Sequence, residues 1–203
     1  MPKIELGIKV LEYLEGTGRI ILPPKNEKMA AAGRRTAKPY GTNIRYLIKY
    51  GTQILGCMLF SASAWALKDR DIWIGWNESD RSARLIYVVN NSRFLLLPWV
   101  KVHNLASHVL GMAVRRIQED WLMNYFYAPV LLETFIDLAS YRGTCYRAAN
   151  WQEIGMTKGR GRQDRYGEYL STPRTIYVYP LEKDFREYLL GKKEPITRER
   201  EDC

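Results

Sequence analysis

Cysteine is scarce in this chain. Cys57, Cys145 and Cys203 are far apart, odd in number and in no CxxC pair, so neither a disulfide framework nor a zinc site is expected. Histidine is scarcer still. His103 and His108 are the only two, and their spacing does not stack them on one helical face, which leaves no His-rich metal centre. No run of about 18 apolar residues exists, so no membrane-spanning helix is expected. The opening Met1-Pro2-Lys3-Ile4-Glu5-Leu6 lacks the charged-then-apolar profile of a secretory signal. Internal repeats and low-complexity tracts are missing too. These absences together predict a cytoplasmic, reduced, metal-free protein with no membrane partner.

Acid is in short supply relative to base. Lys plus Arg number 31 against 22 Asp plus Glu, a net charge of +9. A surface this basic predicts a polyanionic partner, with nucleic acid first among them. Hydrophobic residues at 46% and charged residues at 26% are globular values, and 203 residues suit one compact domain with a small appendage.

Ile4, Ile8, Leu11 and Leu14 have helical spacing, Gly16 and Gly18 stop the helix, and Ile20-Ile21-Leu22 reads as a short strand before Pro23-Pro24. This piece looks like a winged-helix remnant over 1–24. Residues 25–43 read as a basic linker in which Lys25, Lys28, Arg34, Arg35 and Lys38 face only Glu27. Arg34 and Arg35 are candidate phosphate contacts. Ile44–Tyr50 and Gln53–Ser61, separated by Gly51-Thr52, read as a hairpin. Ser79 is a candidate helix N-cap for a helix reaching about Val89.

Phe94-Leu95-Leu96-Leu97 reads as a buried central strand. Asn104 caps a long helix whose apolar face carries Leu105, Val109, Ala113, Ile117 and Trp121. Val130–Ile136 is a second apolar strand. Strand, long helix and strand predict a right-handed βαβ crossover with parallel strands. Thr144–Trp151 then reads as a short helix, Thr175–Pro180 as a strand, Phe185–Leu190 as a short helix, and 191–203 as a flexible tail.

Three strings run through this part of the chain: residues 91–107 (NSRFLLLPWVKVHNLAS), residues 129–137 (PVLLETFID) and residues 143–162 (GTCYRAANWQEIGMTKGRGR). Together they closely resemble the DruA family of the Druantia anti-phage system, over roughly Gly56 to Leu181. That resemblance implies a component of a prokaryotic defence or mobile-element system, with defence-system or transposase proteins as candidate partners.

The order of elements also resembles the GNAT acetyltransferase superfamily. Its Tyr-x-x-x-Gly-Phe-x-x-x-Gly pattern is matched by Tyr146-Arg-Ala-Ala-Asn150-Trp151-Gln-Glu-Ile-Gly155. Asn150 is expected to take the left-handed backbone that glycine supplies at a helix end, and Trp151 the apolar slot of Phe. The fold class implied is α/β: a GNAT-like mixed central sheet over 44–190 with a strand–long helix–strand crossover. Acetyl-CoA is the one cofactor this resemblance brings. Its pyrophosphate loop corresponds to 98–107, where Lys101, His103, Asn104 and Ser107 are candidate contacts although no glycine is present. Tyr146 falls where a GNAT general acid sits.

Two features of the residues themselves remain. Lys158, Arg160, Arg162 and Arg165 alternate with small residues in a Gly-containing loop, and guanidinium forks match phosphate geometry. Glu133 and Asp137 lie four apart on one strand and face the same side. They are candidate metal ligands of a nuclease, with Glu133 alternatively a general base or simply the partner of an arginine such as Arg93 or Arg147.

Overall fold

The computed structural model describes residues 4–7, 41–157 and 172–198. Its sheet has seven strands in the order β1-β2-β3-β4-β5-β7-β6. These are β1 (Ile4–Gly7), β2 (Asn43–Tyr50), β3 (Gln53–Ala62), β4 (Val88–Leu96), β5 (Leu131–Asp137), β6 (Gln152–Met156) and β7 (Arg174–Pro180). The helices are α1 (Lys68–Ile74), α2 (Glu78–Arg84), α3 (Leu105–Val114), α4 (Ile117–Tyr125), α5 (Thr144–Ala148) and α6 (Phe185–Leu189).

The β2–β3 hairpin forms where Gly51-Thr52 predicts it, with Gly51 at φ 58°. Side chains alternate along β2. Ile44, Tyr46 and Ile48 are buried against α3 and α4, while Arg45, Leu47 and Lys49 point the other way and are half-covered. The βαβ prediction holds as well. β4 and β5 are parallel, with Val88 opposite Leu131 and Asn90 opposite Glu133. A second cluster on the opposite face packs Ile74, Val88, Leu131, Ile176, Val178 and Phe185 under α1 and α6.

Several local expectations need correction. Ile4–Gly7 is a strand rather than the start of a helix, because the open edge of β2 offers a ladder of backbone hydrogen bonds and Ile4-Glu5-Leu6 already alternates with a period of two. Residues 8–40, which hold the rest of the winged-helix remnant and most of the linker, lie outside the described residues. The helix expected from Ser79 begins at Glu78 and is capped by Asn77, whose side chain accepts from Asp80 N at 2.9 Å while the Asp80 carboxylate accepts in return from Asn77 N. Its α-helical part ends at Arg84 and a 3₁₀ turn over Leu85–Tyr87 carries it to Val88 and Val89, which are β-branched and insert between β3 and β5. The fully buried part of β4 is Val88–Asn91; of the expected run Phe94–Leu97, Leu97 is buried just past the strand, Phe94 and Leu96 are half-buried against the core and Leu95 is exposed, because β4 pairs with β5 only as far as Asn90 and then diverges.

The long helix is two helices that meet at Arg115-Arg116, where Arg116 N bonds the Ala113 carbonyl in a tighter turn. Its apolar face survives the break: Leu105, Val109, Ala113, Ile117 and Trp121 are all buried. The described part of the expected flexible tail is tied down. Glu194 forms a two-pronged ion pair with Arg84, and Thr197 bridges to Tyr127.

Candidate functional site

Glu133 is fully buried on β5 and meets the equally buried Arg70 of α1, with Nη1 3.0 Å from Oε2. Its other oxygen accepts from Ser63 Oγ at 2.6 Å and from Ala64 N at 3.2 Å. Arg70 also donates to the carbonyls of Ala64 and Trp65 and to Asp71. Asp71 in turn holds Arg81 and the Trp76 indole. Every oxygen of Glu133 is thus engaged, which fits a neutralised structural pair and not an open metal ligand or general base. Asp137, the other half of the expected metal pair, accepts from Ala139 N and Thr172 Oγ1. Among the described residues no cluster of His, Cys, Asp and Glu has metal-binding geometry.

The arginine that satisfies Glu133 is therefore neither Arg93 nor Arg147. Arg70 lies on α1, a helix only seven residues long. The signal that marks it is its spacing to Ile74, four residues on, which puts both on the buried face of α1.

Asn150 and Trp151 behave as the motif predicts. Asn150 is left-handed at φ 63°, and Trp151 is 4% exposed. Tyr146, by contrast, is sealed. It is 5% exposed, and its hydroxyl donates to Asn91 Oδ1 at 2.7 Å. Its ring stacks on Tyr177 and meets Trp151 and Phe94 edge-on. Burial pushes its phenol well above the ordinary range.

Asn91 Nδ2 donates to the carbonyls of Leu59 and Arg93, and Thr134 Oγ1 donates to the Asn91 carbonyl. This cluster fills the wedge where β4 leaves β5.

The 98–107 loop is not shaped as a helix cap. Asn104 is left-handed at φ 56°, and its side chain makes no capping bond. Ser107 Oγ donates back to the Asn104 carbonyl. Lys101, His103, Asn104 and His108 are exposed. A proton donor closed off at Tyr146 and a loop without glycine do not fit an acyl-CoA thioester and its pyrophosphate.

Lys158, Arg160, Arg162 and Arg165, with Arg34 and Arg35, lie outside the described residues. The base of the 158–165 loop is fixed: it joins β6 to β7, where Thr157 N bonds the Arg174 carbonyl and Arg174 N bonds Thr157 Oγ1. Elsewhere the described cations are distributed unevenly. The runs 41–68 and 88–118 contain Arg45, Lys49, Lys68, Arg93, Lys101, Arg115 and Arg116 but no Asp or Glu. No described helix is long and apolar enough to cross a membrane.

Residues 35–172 match the family model described as Druantia protein DruA. No curated protein sequence matches significantly. In structure the chain is similar to a Bacillus subtilis acetyltransferase solved with CoA, at 8% identity and a TM-score of 0.50, covering 90% of this chain and 100% of that one. Weaker likenesses include an N-acetyltransferase from Staphylococcus aureus Mu50, at 13% identity and a TM-score of 0.44, covering 69% and 68% of the two chains. A GNAT acetyltransferase from Elizabethkingia anophelis with acetyl-CoA bound is 14% identical, with a TM-score of 0.42 and coverage of 68% and 76%. At such identities the likeness speaks of the fold alone, a GNAT-like α/β sheet.

Proposed function

Because the chain belongs to the DruA family of Druantia proteins, we propose that it serves prokaryotic anti-phage defence, or a mobile element, by binding nucleic acid. The observation that carries this reading is the acid-free stretch of β2, β3, β4 and α3. Arg45, Arg93 and Lys101 lie on it, and no carboxylate pairs with them among the described residues, whereas Lys49 has Glu5 of β1 as its cross-strand neighbour. Uncompensated cations attract a phosphate backbone and gain by releasing its counterions. Lys158, Arg160, Arg162 and Arg165 add further cations for the backbone from the β6–β7 connection, and Arg34 and Arg35 from the linker. Defence-system or transposase proteins are the protein partners of this reading.

Binding of labelled DNA and RNA, single- and double-stranded, across a salt series tests it. A variant with Ala at Lys158, Arg160, Arg162 and Arg165 should flatten the slope of log K against log salt by roughly 3.6 on duplex DNA, about 0.9 for each phosphate no longer neutralised. No salt-sensitive binding by the wild type, or a quadruple variant that binds equally well, would refute the reading.

A further inference from the structure

The direction of the strands brings four connections to one end of the sheet. β4 and β5 are parallel and both finish there. β3 is antiparallel to β4, so the Gly51-Thr52 turn lies at that end. β7 is antiparallel to β5, so the end of β6 and the start of β7 lie there too. Two of these connections carry aromatic rings in solvent. Trp99, after β4, is 45% exposed, and Tyr141, after β5, is 70% exposed. Each loop feeds a helix, α3 or α5, and these two helices pack on one another through the same core cluster. The two loops therefore open on the same end of the sheet, on either side of the wedge where β4 leaves β5.

The two ring-bearing connections, 97–104 and 138–143, contain no Asp or Glu, while Asp69 accepts from Met156 N at the end of β6. Lys101 and Arg142 are exposed, each close in sequence to one of the rings, and neither pairs with a carboxylate among the described residues. Asp137 is the acid at the end of β5, and its carboxylate is held by Ala139 N and Thr172 Oγ1.

Exposed rings beside free cations match a strand whose bases are open to stacking and whose backbone is anionic. A duplex keeps its bases stacked on one another and offers such rings nothing. We propose that this end of the sheet is a single-stranded nucleic-acid platform, in which Trp99 and Tyr141 stack on bases and Lys101 and Arg142 hold phosphates. The proposal rests on the nucleic-acid reading above and assigns it a surface and a strand state.

Fluorescence anisotropy with the full chain and a labelled oligo-dT of about 15 nucleotides, beside a duplex of equal length, tests it. Trp99→Ala and Tyr141→Ala should each weaken single-strand binding roughly 5- to 100-fold, the loss of one base stack, and change duplex binding less than about twofold. Trp99→Phe should restore most of the affinity. Lys101→Ala with Arg142→Ala should lower the single-strand salt slope by about 1.4. Both rings are exposed, so thermal melting should stay within about 2 °C of wild type and certify the fold. If the wild type binds nucleic acid while Trp99→Ala and Tyr141→Ala bind oligo-dT unchanged, the platform is wrong and the parent reading stands. Preference for the duplex over oligo-dT also overturns the platform. No salt-sensitive binding to either probe removes both.

Discussion

Replacing Glu133 with Gln separates a structural carboxylate from a chemical one. The change keeps the shape of the side chain and removes its charge from a site where both Glu133 and Arg70 have no exposed side-chain surface. Removing one partner of a buried pair costs about 3–5 kcal/mol, because the other charge stays buried. Asp71 still lies 3.0 Å from Arg70, so the low end, about 3 kcal/mol, is expected. For a chain of this size each kcal/mol moves Tm by roughly 2–4 °C, which makes the drop roughly 6–12 °C. Urea titration followed by circular dichroism gives the free energy independently, with the slope in denaturant unchanged if only stability moves. Asp137→Asn is the internal contrast. It sits at a strand end with two local hydrogen bonds, so its loss should stay below about 1 kcal/mol. A metal-binding or catalytic Glu133 would behave in the opposite way, with activity lost and stability kept or gained. Glu133→Gln melting within about 2 °C of wild type would refute the structural assignment.

Two further predictions concern packing and pH. At Gly56 an added Cβ would lie 2.1 Å from the backbone carbonyl oxygen of Leu95, so Gly56→Ala must force β3 from β4 and should cost about 3 kcal/mol in the same denaturation assay; a cost under about 1 kcal/mol would show that the two strands can part easily. The phenols of Tyr46, bonded to Asp120, and of Tyr146 are both held above their ordinary value, chiefly by burial. The unfolded phenols ionise near pH 10 while the folded ones keep their protons, so this stability is complete below about pH 10 and is lost as pH rises further. Tm measured from about pH 7 to 11 should fall above about pH 10, and the double Phe variant should fall less; an equal fall in both would refute the assignment.

The sheet was readable in the sequence where one face is buried and the other is not. β2 shows Ile44, Tyr46 and Ile48 at a period of two, set off by Arg45 and Lys49, and β5 its apolar Val130-Leu131-Leu132 and Phe135-Ile136 on either side of Glu133-Thr134. The parallel pairing of β4 and β5 followed from the long connection between them. Reading failed where tertiary context chose between two local patterns. Ile4 and Leu6 suit a helix and a strand equally, and only the free edge of β2 decides. Phe94–Leu96 is more apolar than Val88–Asn91, yet the second is the fully buried part of β4, because divergence from β5 is a property of the sheet and not of either strand.

For the site, Asn150 and Trp151 were legible because a backbone angle and a side-chain volume are both local demands. The role of Glu133 was not. Its partner lies 63 residues away on a helix whose pattern is only seven residues long. Tyr146 carried a motif position, and its burial by Asn91, Trp151 and Tyr177 emerges only once the strands are assembled.

Strand order also sets a timetable. β7 is synthesised after β6, yet it lies between β6 and β5 and is the strand to which β6 is hydrogen-bonded. A nascent chain that has released β6 holds an unpaired ribbon until residues 174–180 arrive to join it to the rest. The last described residues then fasten Arg84 and Tyr127 through Glu194 and Thr197. Closure of the fold therefore waits for nearly the whole chain, as topologies dominated by distant pairings do. A ribosome stalled between β6 and β7 would present the DruA domain with its sheet still open.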